Sequence, residues 1–191
     1  MNIGIYIYDD AEVLDFSGPF EVFSTAKRIA NNDWNVFFVA ENARSVSARG
    51  GFEVIPHFGF GHHPEIDVLI VVGGVQHHQV TNKAVIEWVH QQASKARITA
   101  SVCTGAFILA EAQLLNGLSV TTHWEDIPAL KHDYPQLNVV EDKRWVVDGN
   151  TITSGGISAG IDMSLYLVSQ LESEHWAQAT AHQMEYRWIK Q

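Results

Sequence analysis

The sequence has few residues of several kinds, and each shortage excludes a class of protein. With one cysteine, no disulfide can form within the chain, and a reducing cytoplasm is the expected setting. The 12 basic residues stand against 22 acidic ones, and a formal net charge of -10 disfavours nucleic acid as a partner. No apolar run reaches the length of a membrane span, and the N-terminus has no basic region or cleavage site of a secretory signal. No polar or low-complexity linker is present, so we expect a single domain over residues 1–191.

Apolar segments typical of strands alternate with segments of helical spacing. Such alternation predicts an α/β sandwich with a mostly parallel sheet, in which ligands bind beyond the carboxyl ends of the strands. Strands of that sheet are predicted at residues 2–8, 34–40, 67–72 and 98–102, and a hairpin or short strands around Val46 and Val54. Residues 139–140, 145–147 and 151–153 indicate a small antiparallel set. Helices are predicted from Ser17-Gly18-Pro19 to Ala30 and at residues 79–96, 158–171 and 174–189, with another from Cys103 to about residue 115.

The only cysteine stands where a β-branched run changes into an apolar helical segment. Ser101-x-Cys103-x-Gly105 resembles a nucleophile elbow, in which small residues flank a strained corner between strand and helix. Unpaired N–H groups at the helix start would favour the thiolate form of Cys103. The alternative is a small hydrophobic side chain packed between strand and helix, where free cysteines are common.

Five motifs follow one another along the chain, and the third contains the cysteine. They are Leu14-Asp15-Phe16-Ser17-Gly18-Pro19-Phe20-Glu21-Val22, Val71-Val72-Gly73-Gly74, Ser101-Val102-Cys103-Thr104-Gly105-Ala106, Thr121-Thr122-His123-Trp124 and Thr153-Ser154-Gly155-Gly156-Ile157-Ser158-Ala159-Gly160-Ile161-Asp162. Together these motifs resemble the ThiJ/PfpI superfamily, and within it the chain is most similar to the isonitrile hydratase branch and to the sensor domains of AraC-type regulators. The resemblance implies a flavodoxin-like three-layer sandwich with helices on both faces, a homodimer, and no metal or organic cofactor.

The sequence departs in two places from the patterns of other branches of this superfamily. The protease and glyoxalase branches place a histidine directly after the cysteine, whereas this chain has Thr104. The regulators carry a helix-turn-helix domain after the sensor domain, and 191 residues leave no room for one, so we expect a stand-alone domain.

By this resemblance Cys103 is the nucleophile and Asp15 is the carboxyl group that moves protons beside it. The Thr104 hydroxyl is expected to bind sulfur or water, and the N–H groups of Thr104 and Gly74 to stabilise an anion. Gly73 and Gly74 suit this role because a residue without Cβ lets the backbone approach a ligand. Each residue also has a structural interpretation: Asp15 and Thr104 as helix caps, and the glycine pair as a tight turn. Glu21 is a second candidate carboxylate, ranked below Asp15 because acidic residues are common in a first helical turn.

The histidines allow a metal site, but the pattern disfavours one. His57, His62, His63, His77 and His78 lie close in sequence without the spacing of a known metal motif. His77 and His78 are candidates for the pocket mouth. His123 is interpreted as a hydrogen-bonded core histidine in preference to a catalytic base, because no spacing links it to Cys103.

Three functions remain open. The leading one is a cysteine-dependent hydratase or hydrolase that adds water to a small molecule such as an isonitrile. The second is a non-catalytic protein that binds a small-molecule effector. The third is a redox-responsive protein in which Cys103 is reversibly oxidised.

Overall fold

The computed structural model describes residues 1–190. Its strands are β1 (Asn2–Tyr6), β2 (Asn35–Ala40), β3 (Val46–Ala48), β4 (Phe52–Val54), β5 (Phe58–Gly59), β6 (Val68–Val71), β7 (Ile98–Val102), β8 (Ser119–Val120), β9 (Asn138–Val139), β10 (Trp145–Asp148) and β11 (Thr151–Ser154). Its α-helices are α1 (Val13–Ala30), α2 (His77–Thr81), α3 (Lys83–Ala93), α4 (Gly105–Glu111), α5 (Ile127–Asp133), α6 (Ser158–Leu171) and α7 (Glu174–Gln183). Within residues 1–190, no helix combines the length and the apolar character that crossing a membrane requires.

Seven strands form one twisted sheet in the order β10-β11-β7-β6-β1-β2-β5. Every neighbouring pair is parallel except β10 and β11, which form an antiparallel hairpin at one edge. Strand β6 lies near the middle, and all four of its apolar residues are fully buried, as expected for a parallel strand covered on both faces. The prediction of an α/β fold with a mostly parallel sheet is therefore confirmed.

Helices cover both faces of this sheet. Helices α1, α6 and α7 pack against one another, and α2, α3 and α4 form a second group in which α4 packs against β6 and β7. The flavodoxin-like three-layer arrangement is as predicted. It brings the carboxyl ends of β1, β6, β7 and β11 to one edge, where the loops that follow them meet.

The predicted start of the first helix was wrong. Helix α1 begins at Val13, and Pro19 lies inside it. The Ser17 hydroxyl donates to the carbonyl oxygen of Val13 at 2.7 Å and does not cap the helix. A tertiary contact sets the start instead, because the Glu12 N–H donates to the carbonyl oxygen of Gly73 at 2.9 Å.

Other boundaries also differ from the prediction. Residues 79–96 form parts of two helices, because the Asn82 side chain accepts from the Ala84 N–H at 3.0 Å and begins α3 there. Helix α4 ends at Glu111, before the predicted residue 115. Helix α7 ends at Gln183, and the chain beyond it is held against α6 by a 2.9 Å hydrogen bond from Ile189 N–H to Asp162. The expected antiparallel set is divided: β10 and β11 join the main sheet, whereas β9 pairs with β8 in parallel.

Candidate active site

The converging strand ends enclose a cleft of about 280 Å³. Cys103 lies on its wall, together with residues that come from five other parts of the chain. These include Glu12 before α1, His77 on α2, and His123 and Asp126 after β8. The cleft thus combines the thiol with several titratable groups.

Cys103 occupies the strained corner that the sequence predicted. Its backbone has a φ of 57°, in the left-handed region that non-glycine residues seldom adopt. The Cys103 N–H is held at 3.2 Å by the carbonyl oxygens of Ser154 and Gly155, and the Thr122 hydroxyl donates to the Cys103 carbonyl oxygen at 2.8 Å. Bonds from two neighbouring segments therefore fix the corner, and its side chain is only 8% exposed.

Asp15 approaches Cys103 from inside the protein. Its side chain is fully buried, and Oδ1 accepts a 2.9 Å hydrogen bond from the Ile157 N–H. A Cβ placed on Gly73 would lie 2.7 Å from Cys103 Cβ and 2.8 Å from Asp15 Oδ2, so the glycine marks the point where both side chains meet. Within residues 1–190, Asp15 Oδ2 has no conventional hydrogen-bond partner, which leaves it available to the thiol. Asp15 is thus not the cap of α1.

Burial controls the protonation of this pair. It raises the pKa of Asp15 from 3.8 to about 7, although the Ile157 N–H and the Cys103 thiol act in the opposite direction. Burial also raises the pKa of the Cys103 thiol, and the negative charge of Asp15 raises it further, whereas the Thr104 N–H lowers it. The expectation that the helix start favours a thiolate was therefore wrong in its net direction, because desolvation outweighs the backbone donor. At rest the sulfur carries its proton.

The Thr104 hydroxyl is hydrogen-bonded to the backbone of Gly74 and not to the sulfur. Its hydroxyl accepts from the Gly74 N–H and donates to the Gly74 carbonyl oxygen, both at 3.0 Å. Because the Gly74 N–H is occupied in this way, the structure does not support its predicted use as a donor to an anion. The Thr104 backbone N–H, which faces the Cys103 sulfur, is the donor that the site does present. The Thr104 hydroxyl holds the glycine turn in position beside it.

His123 belongs to the cleft, contrary to the prediction of a core histidine. Its side chain is 19% exposed, and Nδ1 lies 3.4 Å from Asp126 Oδ2. The ring packs over Gly156: a Cβ there would overlap His123 Cδ2 and lie 3.1 Å from Cys103 Sγ. Sequence reasoning missed His123, Asp126 and Gly156 as site residues. His123 and Gly156 belong to two of the motifs found in the sequence, those that begin at Thr121 and at Thr153. The sequence does not show, however, that these two motifs lie next to each other in the folded chain.

The remaining candidates lie elsewhere. Glu21 is exposed and accepts from the Thr25 hydroxyl at 3.0 Å on the outer face of α1. His57 Nδ1 accepts from the Phe38 N–H at 3.0 Å, and His63 Nε2 accepts from the Trp88 indole N–H at 3.1 Å, so both have structural partners. His77 reaches the cleft, whereas its neighbour His78 is exposed outside it. Among residues 1–190, no three histidine, cysteine or acidic side chains are grouped as metal ligands would be.

A larger groove of about 700 Å³ adjoins the cleft and shares His123 and Ile157 with it. The indole of Trp124, 74% exposed, and the guanidinium of Arg144 line this groove. Arg144 is paired with the fully buried Asp162, which keeps that wall in place. The cleft can therefore hold a small reactive group while the groove accommodates an attached substituent.

Comparisons with known proteins agree with this arrangement. The sequence model of the DJ-1/PfpI family matches residues 1–170. Isonitrile hydratase from Pseudomonas putida is 34% identical over 189 residues, which are 97% of this chain and 78% of that protein. The HTH-type transcriptional regulator GbdR from Pseudomonas aeruginosa is 26% identical over 99% of this chain, which spans about half (52%) of the regulator's length. The crystal structure of a THiJ/PfpI family protein from Pseudomonas syringae superimposes with a TM-score of 0.88 at 26% identity, covering 99% of this chain and 76% of that one.

Proposed function

Because this chain belongs to the DJ-1/PfpI family, we propose that it is an enzyme that adds water to small isonitriles and releases N-substituted formamides. The observation that supports this function best is the carboxyl of Asp15, fully buried, with Oδ2 directed to the Cys103 thiol. A pocket that only binds a ligand requires neither a nucleophile nor a buried proton carrier beside it. Similarity to an isonitrile hydratase over 97% of the chain adds weight to this proposal.

The chemistry begins with the neutral thiol. Asp15, with a pKa of about 7, is ionised in part of the molecules at neutral pH and takes the proton of Cys103 as sulfur attacks the terminal isonitrile carbon. The same carboxyl then delivers this proton to that carbon, giving the thioimidate R–N=CH–S–Cys103. One S–H bond is broken, and one C–S and one C–H bond are formed. A carboxyl with a pKa near neutrality suits both halves of this transfer, since it can take and return a proton.

Water completes the reaction. Its addition to the thioimidate carbon and cleavage of the C–S bond release R–NH–CHO and restore the thiol. The Thr104 N–H, which faces the sulfur, stabilises negative charge on sulfur in both steps. The adjoining groove, which both apolar and charged side chains line, accepts the R group.

Formamide production from aliphatic and aromatic isonitriles tests this proposal. We expect turnover by the wild type and none by Cys103→Ala or Asp15→Asn. Glu21→Gln is the matched control, because it removes an exposed carboxylate from the same helix and should leave turnover unchanged. Absence of wild-type turnover, or turnover that survives in Cys103→Ala, would contradict the proposal.

Effector binding is the second candidate, and the similarity to the regulator GbdR over 99% of this chain favours it. In that case an isonitrile or another small molecule would bind the cleft without product. Calorimetry and product analysis on the wild type separate the two functions, since a binding protein takes up the isonitrile without forming formamide.

A further inference from the structure

Gln76 is a polar residue on the wall of the cleft that the chemistry described so far does not use. It is only 8% exposed, and it lines the cleft together with Cys103. Within residues 1–190, neither the oxygen nor the nitrogen of its carboxamide has a hydrogen-bond partner, and neither atom is fully buried. An almost buried polar group without a partner is unfavourable. The carboxamide of Gln76 is therefore suited to a ligand in the cleft.

The backbone of Gln76 is fixed relative to the cysteine corner. The hydroxyl of Thr104, the residue after the cysteine, makes both of its hydrogen bonds to Gly74, two residues before Gln76. The Gln76 carbonyl oxygen accepts from the N–H groups of Gln79 and Val80 at 2.9 and 3.0 Å, where α2 begins. Because the Gly74 N–H is occupied, the side chain of Gln76 is the donor that this loop presents to the cleft.

The proposed reaction creates the groups that a carboxamide binds. An isonitrile has neither an N–H group nor an oxygen, and the thioimidate R–N=CH–S–Cys103 also lacks both. Addition of water gives R–NH–CH(OH)–S–Cys103, which has both. A carboxamide can accept from this N–H and donate to this oxygen at the same time. The interaction forms only as water adds, so it stabilises the adduct more than the substrate, which is the condition for accelerating the step.

We propose that Gln76 is a further catalytic residue, whose carboxamide holds the nitrogen and the oxygen of the adduct that forms when water attacks the thioimidate. This inference rests on the proposed function and assigns a group to its second half. The Asp15 carboxyl serves formation of the thioimidate, and Gln76 serves its hydrolysis.

The hydrolysis balances without a proton on Gln76. The oxygen of water bonds to the thioimidate carbon, the C=N bond becomes single, and the nitrogen takes up one proton of the water. The C–S bond then breaks as the C=O bond forms, and the hydroxyl proton passes to the departing sulfur. R–NH–CHO leaves and the Cys103 thiol is restored. No oxidant, reductant or second substrate is required.

Intact-protein mass spectrometry during a single turnover tests this role. Gln76→Met keeps the length of the side chain without the carboxamide. It should form the thioimidate, seen as the mass of one isonitrile added at Cys103, at about the wild-type rate. The thioimidate should then decay about 10²-fold more slowly, and inhibition by the product formamide should weaken about 10-fold. Gln91→Met is the matched control, because Gln91 is exposed on α3 and lies outside the cleft.

A second variant, Gln76→Glu, keeps the length and an acceptor oxygen but has no donor for the adduct, and its thioimidate should also decay slowly. Decay at the wild-type rate in both variants would overturn the role of Gln76 and leave the hydratase function intact. Equal slowing of formation and decay, in variants that circular dichroism shows to be folded, would do the same. A wild-type protein that forms neither thioimidate nor formamide would overturn the proposed function, and this inference with it.

Discussion

Replacement of Asp15 by asparagine should stabilise the protein at neutral and alkaline pH while it abolishes turnover. Ionisation of the fully buried carboxyl is unfavourable, and its pKa is raised from 3.8 to about 7. Between these values the folded protein holds a proton that the unfolded chain has lost, so stability falls as pH rises. Asparagine keeps an oxygen for the Ile157 N–H but carries no charge. The variant therefore lacks this loss of stability.

The magnitude follows from the two pKa values. The free energy of unfolding of the wild type should fall, relative to Asp15→Asn, by about 1.4 kcal/mol for each pH unit between about pH 4 and pH 7. The full difference should approach about 4 kcal/mol and level off above the pKa of about 7. Because desolvation is the largest cause, most of this difference reflects the loss of water around the carboxylate.

Urea unfolding followed by tryptophan fluorescence at several pH values from about pH 5 to pH 8 measures this difference. Glu21→Gln is the control, because it removes an exposed carboxylate from the same helix and should keep the wild-type pH dependence. A difference between wild type and Asp15→Asn that does not change with pH would refute the reasoning. A difference that increases as the pH falls would also refute it, because the folded state would then favour the ionised carboxyl of Asp15.

Three further predictions concern the surroundings of the thiol. Alkylation of Cys103 by iodoacetamide should be slower than that of free cysteine and should still be rising above about pH 8, because burial raises the thiol pKa; a rate that levels off below neutrality would contradict this. Thr104→Val should lower the free energy of unfolding, measured with urea, by about 2–4 kcal/mol, because it removes both hydrogen bonds of the Thr104 hydroxyl to Gly74. Thr104→Ser keeps a hydroxyl and should retain most of the wild-type stability. Gly156→Ala should reduce kcat by about 10²-fold without unfolding the protein, because the added methyl group displaces the His123 ring over the cleft. Gly155→Ala is the control and should keep its activity, because its Cβ would lie 3.4 Å from the nearest neighbouring atom. Equal activity of the two variants would refute the placement of His123 over Gly156.

Several features were predictable because they depend on residues adjacent in sequence. A run of β-branched and apolar residues such as β6 predicts a buried strand, since only a parallel central position hides both faces. The small residues around Cys103 predict a sharp corner, and the corner is there with its positive φ. The helix at Ser17-Gly18-Pro19 was misplaced because its true start depends on Gly73, which is remote in sequence.

The sequence by itself thus determined the α/β fold, the family, and the cysteine corner with its neighbouring glycines, because local periodicity and short motifs carry that information. Only the tertiary structure decided the chemistry of the site. The Ile157 N–H meets Asp15 across 142 positions, and His123 meets the thiol above Gly156, contacts that no local spacing encodes. The protonation of Asp15 and Cys103 follows from burial, which is a property of the packed molecule and not of either residue.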